Sequence, residues 1–358
     1  MSAAGGKPIR VLIVEDSSTA RRLLEGIINA DPRLEVVGSA PSGEKALAML
    51  DSARPEIITM DIRLPGIDGI ETTKRIMNRR PTPIIIVASV ESREQAKISI
   101  EALKAGALSV IEKPRGVASS DFSDLARRLR RQLVLMSDVK LVRHRRPTAS
   151  FKPPRMTSAP IANSRTSLGA VGIVASTGGP NAFMEILRGL GSDYPAPILG
   201  VQHITPSFTE GFASWLGGAT RLSVEIAAHG ATPMPGRFYL APGDTHLELV
   251  NGRLSLSRGP AVCSQRPSGN VLFRSLASSL GPDCVAVLLT GMGDDGAEGL
   301  RAAFDAGAHT IVEDESTAIV YGMPAAAIAL GAATEALPLP QIAPRLRELA
   351  LRGARAAS

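Results

Sequence analysis

Three acidic residues and one lysine in the first third of the chain stand where short apolar runs end. Ile9–Val14 runs into Glu15-Asp16, Ile57–Met60 into Asp61, and a run ending at Ile111 leads to Lys113, just before Pro114. In an open parallel sheet, residues at the carboxyl ends of strands gather in one crevice. Carboxylates meeting there repel one another unless a hard cation sits between them. Mg²⁺, which takes oxygen ligands and keeps several waters, suits such a set. Glu15, Asp16 and Asp61 are therefore candidate Mg²⁺ ligands, and Lys113 can neutralise a further anion.

A second constellation lies downstream. Val171–Ala175 runs into Ser176-Thr177-Gly178-Gly179-Pro180, and a helical stretch follows from Asn181 to Leu190. The glycines allow a tight turn beside Ser176, and the helix offers N–H groups and a positive dipole end to a developing oxyanion. Ser176 is thus a candidate nucleophile. A Gly-rich turn can equally cradle a phosphate, although this one does not fit G-x-G-x-x-G. A serine nucleophile needs a base, and the base needs an orienting carboxylate. His203 lies just beyond the apolar run Ile198–Val201, on the same edge as Ser176. His246, in the turn-rich Pro242-Gly243-Asp244-Thr245-His246, is the runner-up, whereas His229 and His309 have no comparable strand-end position. Asp294-Asp295 follows Val285–Leu289 through Thr290-Gly291-Met292-Gly293. This pair can orient an imidazole or bind a metal, the latter disfavoured because no second acidic cluster lies nearby. The order Ser…His…Asp differs from the Ser…Asp…His of the α/β-hydrolases, so geometry must carry the assignment.

These residues need two scaffolds. Over residues 8–116 short apolar runs alternate with helical periods at Ser18–Asn29, Gly43–Leu50, Ile70–Met77 and Glu94–Ala105. That alternation predicts a (βα)₅ unit with a parallel sheet covered on both faces. Residues 117–168 read as a helix from Asp121 to Val142, then a basic linker rich in Pro and Ser beginning at Arg143-His144-Arg145-Arg146. Residues 169–350 alternate again and predict a doubly wound, mainly parallel α/β domain.

Composition narrows the functions. Of 358 residues, 44% are hydrophobic and 21% charged, a globular balance, while aromatics at 3% argue against a groove of stacked bases. The net charge of +6 is concentrated in residues 117–168, which carry 11 basic and 3 acidic side chains; residues 169–358 carry 12 and 16. A basic tether is weak support for nucleic-acid binding by either folded part. Cys263 and Cys284 make neither a disulfide framework nor a zinc site. The apolar runs are strand-sized and the N-terminus lacks a signal-peptide pattern, so a cytoplasmic protein is expected.

Residues 8–116 resemble a response-regulator receiver domain. The likeness rests on the acidic pair, on Met60-Asp61-Ile62-Arg63-Leu64-Pro65-Gly66-Ile67-Asp68-Gly69, and on Lys113-Pro114. It implies that Asp61 accepts a phosphoryl group from a CheA-like histidine kinase, with Mg²⁺ at Glu15 and Asp16 and Lys113 as phosphate partner. The switch Ser/Thr of that family falls at Ala88-Ser89. Alignment from the strand gives Ala88 and counting back from Lys113 gives Ser89, which is the residue chosen.

Residues 170–335 resemble the chemotaxis protein-glutamate methylesterases, the CheB family. The likeness rests on Ala175-Ser176-Thr177-Gly178-Gly179-Pro180, Gln202-His203 with Phe208-Thr209, Tyr239 to His246, Arg266-Pro267-Ser268, Leu289 to Gly296, and Gly322-Met323-Pro324. It implies hydrolysis of glutamyl methyl esters on methyl-accepting chemoreceptors, deamidation of receptor glutamines, and no cofactor for the ester chemistry. Contact with the membrane would be indirect, through the receptors. By this resemblance Ser176 is nucleophile, His203 base and Asp295, the acid directly before Gly296, the orienting carboxylate, with the Met292 backbone an oxyanion candidate. The chain departs from the family at Val174, where Gly is usual, at Ile204-Thr205 in place of Met-Pro, and at Asn270, where Asp is common. Asn270 is expected on the rim of the substrate groove. Competing readings are a methylesterase of a non-motility chemosensory pathway, a catalytically degenerate binding module, and a DNA-binding output domain. The last would require a basic helix-turn-helix unit that the acidic, α/β second half does not offer.

Overall fold

The computed structural model describes residues 7–89, 93–114, 122–137, 139 and 168–356. The basic linker and the ends of the helix expected over Asp121–Val142 lie outside the described residues, apart from Val139. The first unit runs β1 (Ile9–Val14), α1 (Ser18–Asn29), β2 (Leu34–Ala40), α2 (Gly43–Ala53), β3 (Ile57–Met60), α3 (Gly69–Arg79), β4 (Ile84–Ala88), α4 (Arg93–Lys104), β5 (Ser109–Glu112) and α5 (Phe122–Ser137). Its five strands are parallel in the order β2-β1-β3-β4-β5. Polar caps start the helices that border the acidic crevice. Ser17 Oγ accepts from Ala20 N, and Asp68 Oδ1 accepts from Glu71 N at 2.8 Å.

The second unit runs β6 (Ala170–Ala175), α6 (Gly179–Leu190), β7 (Ile198–Gln202), α7 (Thr209–Ala219), β8 (Ser223–Ile226), β9 (Arg237–Leu240), β10 (His246–Val250), β11 (Arg253–Ser257), α8 (Gly269–Leu280), β12 (Cys284–Leu288), α9 (Ala297–Asp305), β13 (His309–Glu313), α10 (Met323–Ala329), β14 (Glu335–Leu337) and α11 (Leu339–Ala356). Seven strands form a parallel sheet in the order β14-β13-β12-β6-β7-β9-β8. The chain winds outward from β6 toward β8, returns to β12 and winds the other way. The switch point therefore lies at β6, between β7 and β12, where ligands bind in such sheets. Beside it stands the antiparallel hairpin β10–β11. His246 is the first residue of β10 and is buried, a correction to its expected place in a turn. Among the described residues no helix is long and apolar enough to cross a membrane.

The two units touch. Ile100 and Leu103 of α4 share one buried apolar cluster with Phe183 of α6 and Phe212 of α7. Asn181 Nδ2 donates to Leu103 O at 3.2 Å, Lys104 Nζ stands 5.4 Å from the centre of the Trp215 ring, and Ser207 Oγ donates to Glu112 Oε2 at 3.2 Å.

Phe183 anchors the larger core, fully buried between the rings of Phe212 and Phe238 at 6.0 and 5.5 Å. Phe183→Ala is expected to destabilise the second unit by about 3–5 kcal/mol, read as a fall in the urea midpoint. A loss below about 1 kcal/mol would mean that the site collapses freely around the deletion.

Candidate active site

Ser176 follows β6 directly and enters a turn in which Gly178 takes φ +80°. Ser176 N donates to Thr290 O at 3.0 Å, and Gly179 N donates back to Ser176 O at 2.9 Å. His203 N donates to Ala175 O at 3.0 Å, so the β6–β7 ladder continues past the strands and sets His203 beside Ser176. The loop after β12 closes on the same turn. A Cβ on Gly291 would lie 2.8 Å from Ser176 Cβ, so only glycine permits that approach.

His203 Nε2 lies 2.8 Å from Asp295 Oδ2, and the two side chains are almost wholly buried. Asp295 is held by more than the histidine. Its Oδ1 accepts from Ser268 Oγ at 2.6 Å and from Asn270 N at 3.3 Å, and its Oδ2 accepts from Gly269 N at 2.7 Å. The backbone donors are the first residues of α8, where the helix dipole also favours negative charge. Burial works to raise the pKa of this carboxyl, but His203, Ser268 and the Gly269 N–H outweigh it and hold it below the usual value. With an ionised Asp295 accepting from Nε2–H, Nδ1 is left as the lone-pair nitrogen of His203. Nδ1 is buried and has no protein partner. Ser176, His203 and Met292 line one cavity of about 200 Å³, together with Leu103 and Ile111 of the first unit.

Asp294 is exposed, which separates it from Asp295. His246, the runner-up base, is held at both nitrogens: Nε2 bonds Pro260 O at 3.0 Å, and Nδ1 accepts from Ser268 N at 3.2 Å. It supports Ser268, which in turn supports Asp295. Asn270 is fully buried and is not on a groove rim. Its Oδ1 accepts from Gly296 N at 3.1 Å and Gly299 N at 2.7 Å, tying the start of α9 to α8. The sequence reading missed Ser268 and Gly269 as carboxylate donors, although Arg266-Pro267-Ser268 was visible as a motif. It also missed Glu313, whose Oε2 accepts from Thr290 N at 2.8 Å; burial pushes this carboxyl up to about 7.

In the first unit the carboxylate oxygens of Glu15, Asp16 and Asp61 lie within 4.8 Å of one another. Lys113 Nζ stands 2.6 Å from Glu15 Oε2 and 2.8 Å from Asp61 Oδ2. Burial and the Asp61 charge raise the Glu15 pKa against the pull of Lys113. Lys113 itself is raised, its bonds to Asp61 and Glu15 outweighing burial. This all-oxygen set of three carboxylates fits a hard divalent cation. Ala88 and Ser89 both line the cavity of about 350 Å³ above it, with Asp61 and Lys113.

Comparisons with known proteins agree with this layout. The family model "CheB methylesterase" matches residues 171–346, and "Response regulator receiver domain" matches residues 11–119. The chain is 51% identical to a Paramagnetospirillum magneticum protein named protein-glutamate methylesterase/protein-glutamine glutaminase 2, over 97% of this chain and 99% of that one. It is 44% identical to a Myxococcus xanthus protein of the same name numbered 4, over 97% and 98% of the two chains. The crystal structure of the Thermotoga maritima CheB methylesterase catalytic domain is 37% identical and covers 51% of this chain and 99% of that one, with a TM-score of 0.50.

A carboxyl whose folded pKa is raised favours its protonated form, so it contributes stability below its unfolded value and loses it as pH rises through the folded value. Glu15→Gln is therefore expected to raise the Tm of the first unit at pH 7 and to confer no advantage near pH 3. Mg²⁺ at about 100 times its Kd should stabilise the wild type by about 2.7 kcal/mol, and Glu15→Gln should weaken that effect. A Tm for the variant below wild type at pH 7 would show that the Lys113 pairing outweighs burial.

Proposed function

The chain belongs to the CheB methylesterase family, with a receiver domain joined to the catalytic domain, and from that membership we propose how its residues act as a phosphorylation-regulated protein-glutamate methylesterase and protein-glutamine glutaminase of chemotaxis adaptation. The observation that carries the reading is the buried Asp295–His203 pair, whose imidazole lines one cavity with Ser176.

Nδ1 of His203 takes the proton from Ser176 as the hydroxyl attacks the glutamyl ester carbonyl, and Asp295 stabilises the imidazolium that results. The developing oxyanion meets the Met292 N–H and the N-terminal end of α6. The imidazolium returns its proton to the leaving group, methanol from an ester or ammonia from a glutamine. Water, deprotonated by the same imidazole, then releases glutamate from the acyl-enzyme. The substrates are methyl-accepting chemoreceptors, and the protein works in the cytoplasm without nucleic acid.

In the receiver, Asp61 is the phosphoacceptor for a CheA-like kinase. Glu15, Asp16 and Asp61 would hold Mg²⁺, which would supply charge neutralisation for the transfer. Lys113 pairs with the phosphoryl oxygens, and the Ser89 hydroxyl reads them. The cavity that Leu103 and Ile111 of the receiver share with Ser176 and His203 supports a receiver that covers the catalytic crevice when unphosphorylated.

Methanol release from methylated chemoreceptor membranes tests the reading. Wild type should release methanol, a phosphodonor should raise the rate, and Ser176→Ala should abolish it. Asp295→Asn is expected to lower kcat by about 10³–10⁴-fold, because it removes the carboxylate that holds the productive tautomer. Deleting residues 1–145 should raise the phosphodonor-independent rate; an unchanged rate would overturn the covering role. Absence of release from wild type bearing phosphorylated Asp61 would point to another ester or to a binding role.

A further inference from the structure

Gln202, the last residue of β7, is buried beside both members of the nucleophile–base pair, yet the mechanism above gives it no part. Its Nε2 donates to Ser176 O at 2.7 Å and to His203 O at 3.0 Å. One amide group thus spends its two hydrogens on the carbonyls of the two residues whose separation sets the proton transfer. Its Oε1 is buried without a partner, an arrangement that costs stability. Gly179 is shaped around it, since a Cβ there would lie 2.1 Å from Gln202 Oε1.

We propose that Gln202 is a positioning residue, an amide clamp that fixes the Ser176 turn against the His203 loop; the proposal rests on the reading of Ser176 and His203 as nucleophile and base. The clamp also reaches the oxyanion side. The Ser176 carbonyl and the Thr177 N–H belong to one planar peptide unit and point in opposite directions. Gln202, together with the Gly179 N–H that also donates to this carbonyl, therefore holds the Thr177 N–H aimed away from it, and the residue after a serine nucleophile is a recurrent oxyanion donor. Only a side chain with two donors on one nitrogen can serve both carbonyls in this way. A glutamate here offers acceptors alone to two carbonyl oxygens.

The test uses the full-length chain in wild-type, Gln202→Met, Gln202→Glu and Ser176→Ala forms. Two rates are followed: methanol release from methylated receptor membranes with a phosphodonor, and covalent labelling of Ser176 by a fluorophosphonate. In both Gln202 variants kcat and the labelling rate should fall at least about tenfold, since misplacement by about 1 Å can cost 10²-fold. KM should stay within about twofold and the acid limb of the pH–rate profile should not move, because substrate contacts and the Asp295–His203 pair remain. A merely structural role would lower Tm and leave kcat intact below the melting range. If the Gln202 variants fail to fold, Gln202→Asn made in their place decides, because its shorter side chain keeps two donors on one nitrogen but draws them back from both carbonyls and should show the same split. Values within about twofold of wild type in the folded variants overturn the clamp. If wild type labels at Ser176 but releases no methanol, the substrate reading falls while labelling still decides the clamp. If wild type does not label, both fall.

Discussion

A buried charge must be compensated where it lies, and the catalytic domain is arranged around one such charge. Taking the Asp295 carboxylate out of water costs several kcal/mol unless donors replace the lost solvent. Ser268, Gly269, Asn270 and His203 supply them, from two different loops and from the start of α8. This requirement explains features that otherwise look unrelated. His246 holds the backbone of Ser268, and Asn270 knits the first turn of α9 to α8. A buried carboxylate held by four donors fixes a single arrangement of them, because each alternative strands a buried polar group. The orientation of His203, and with it the identity of the basic nitrogen, follows from that.

The two crevices solve opposite problems on similar scaffolds. Each sits at the carboxyl edge of a parallel sheet, at the point where the winding reverses. The receiver crevice concentrates negative charge and leaves it under-compensated, with three carboxylates facing one lysine. That imbalance makes it receptive to a cation. The catalytic crevice instead compensates its single carboxylate fully and leaves an imidazole nitrogen and a hydroxyl as the reactive groups.

Much of this was legible in the sequence because short parallel strands announce themselves. β1 and β3 carry the residues expected of them, since apolar runs bounded by acidic turns admit few other readings. Ser176 and His203 were legible as candidates for the same reason, each lying just past a strand, whereas Asp295, seven residues beyond the end of β12, was singled out from Asp294 by the family resemblance. The failures have physical causes. β8 and β14 are short strands at the sheet's two edges, so one flank of each needs no apolar partner and their pattern is diluted. The hairpin β10–β11 did carry a signal, the Asn251-Gly252 turn with both residues at positive φ, which was not used. Asn270 was misplaced because nothing local distinguishes a polar residue facing solvent from one buried against the start of another helix. The donors to Asp295 other than His203 were invisible for a related reason. Two of them are backbone N–H groups, which no residue type encodes.

Among the described residues the receiver meets the catalytic domain through an apolar seam from α4 to α6 and α7, an amide hydrogen bond to Leu103 O, Lys104 over the Trp215 indole and, from β5, Glu112 accepting from Ser207 Oγ. Joined by a chain, each unit sees the other at an effective concentration that for flexible tethers is of the order of millimolar. An interface with millimolar affinity is then about half closed, and every 1.4 kcal/mol of bias moves that ratio tenfold. Under the proposed covering role, a change of charge at Asp61 has its largest effect on how often the crevice stands open when the affinity of the seam lies near that effective concentration.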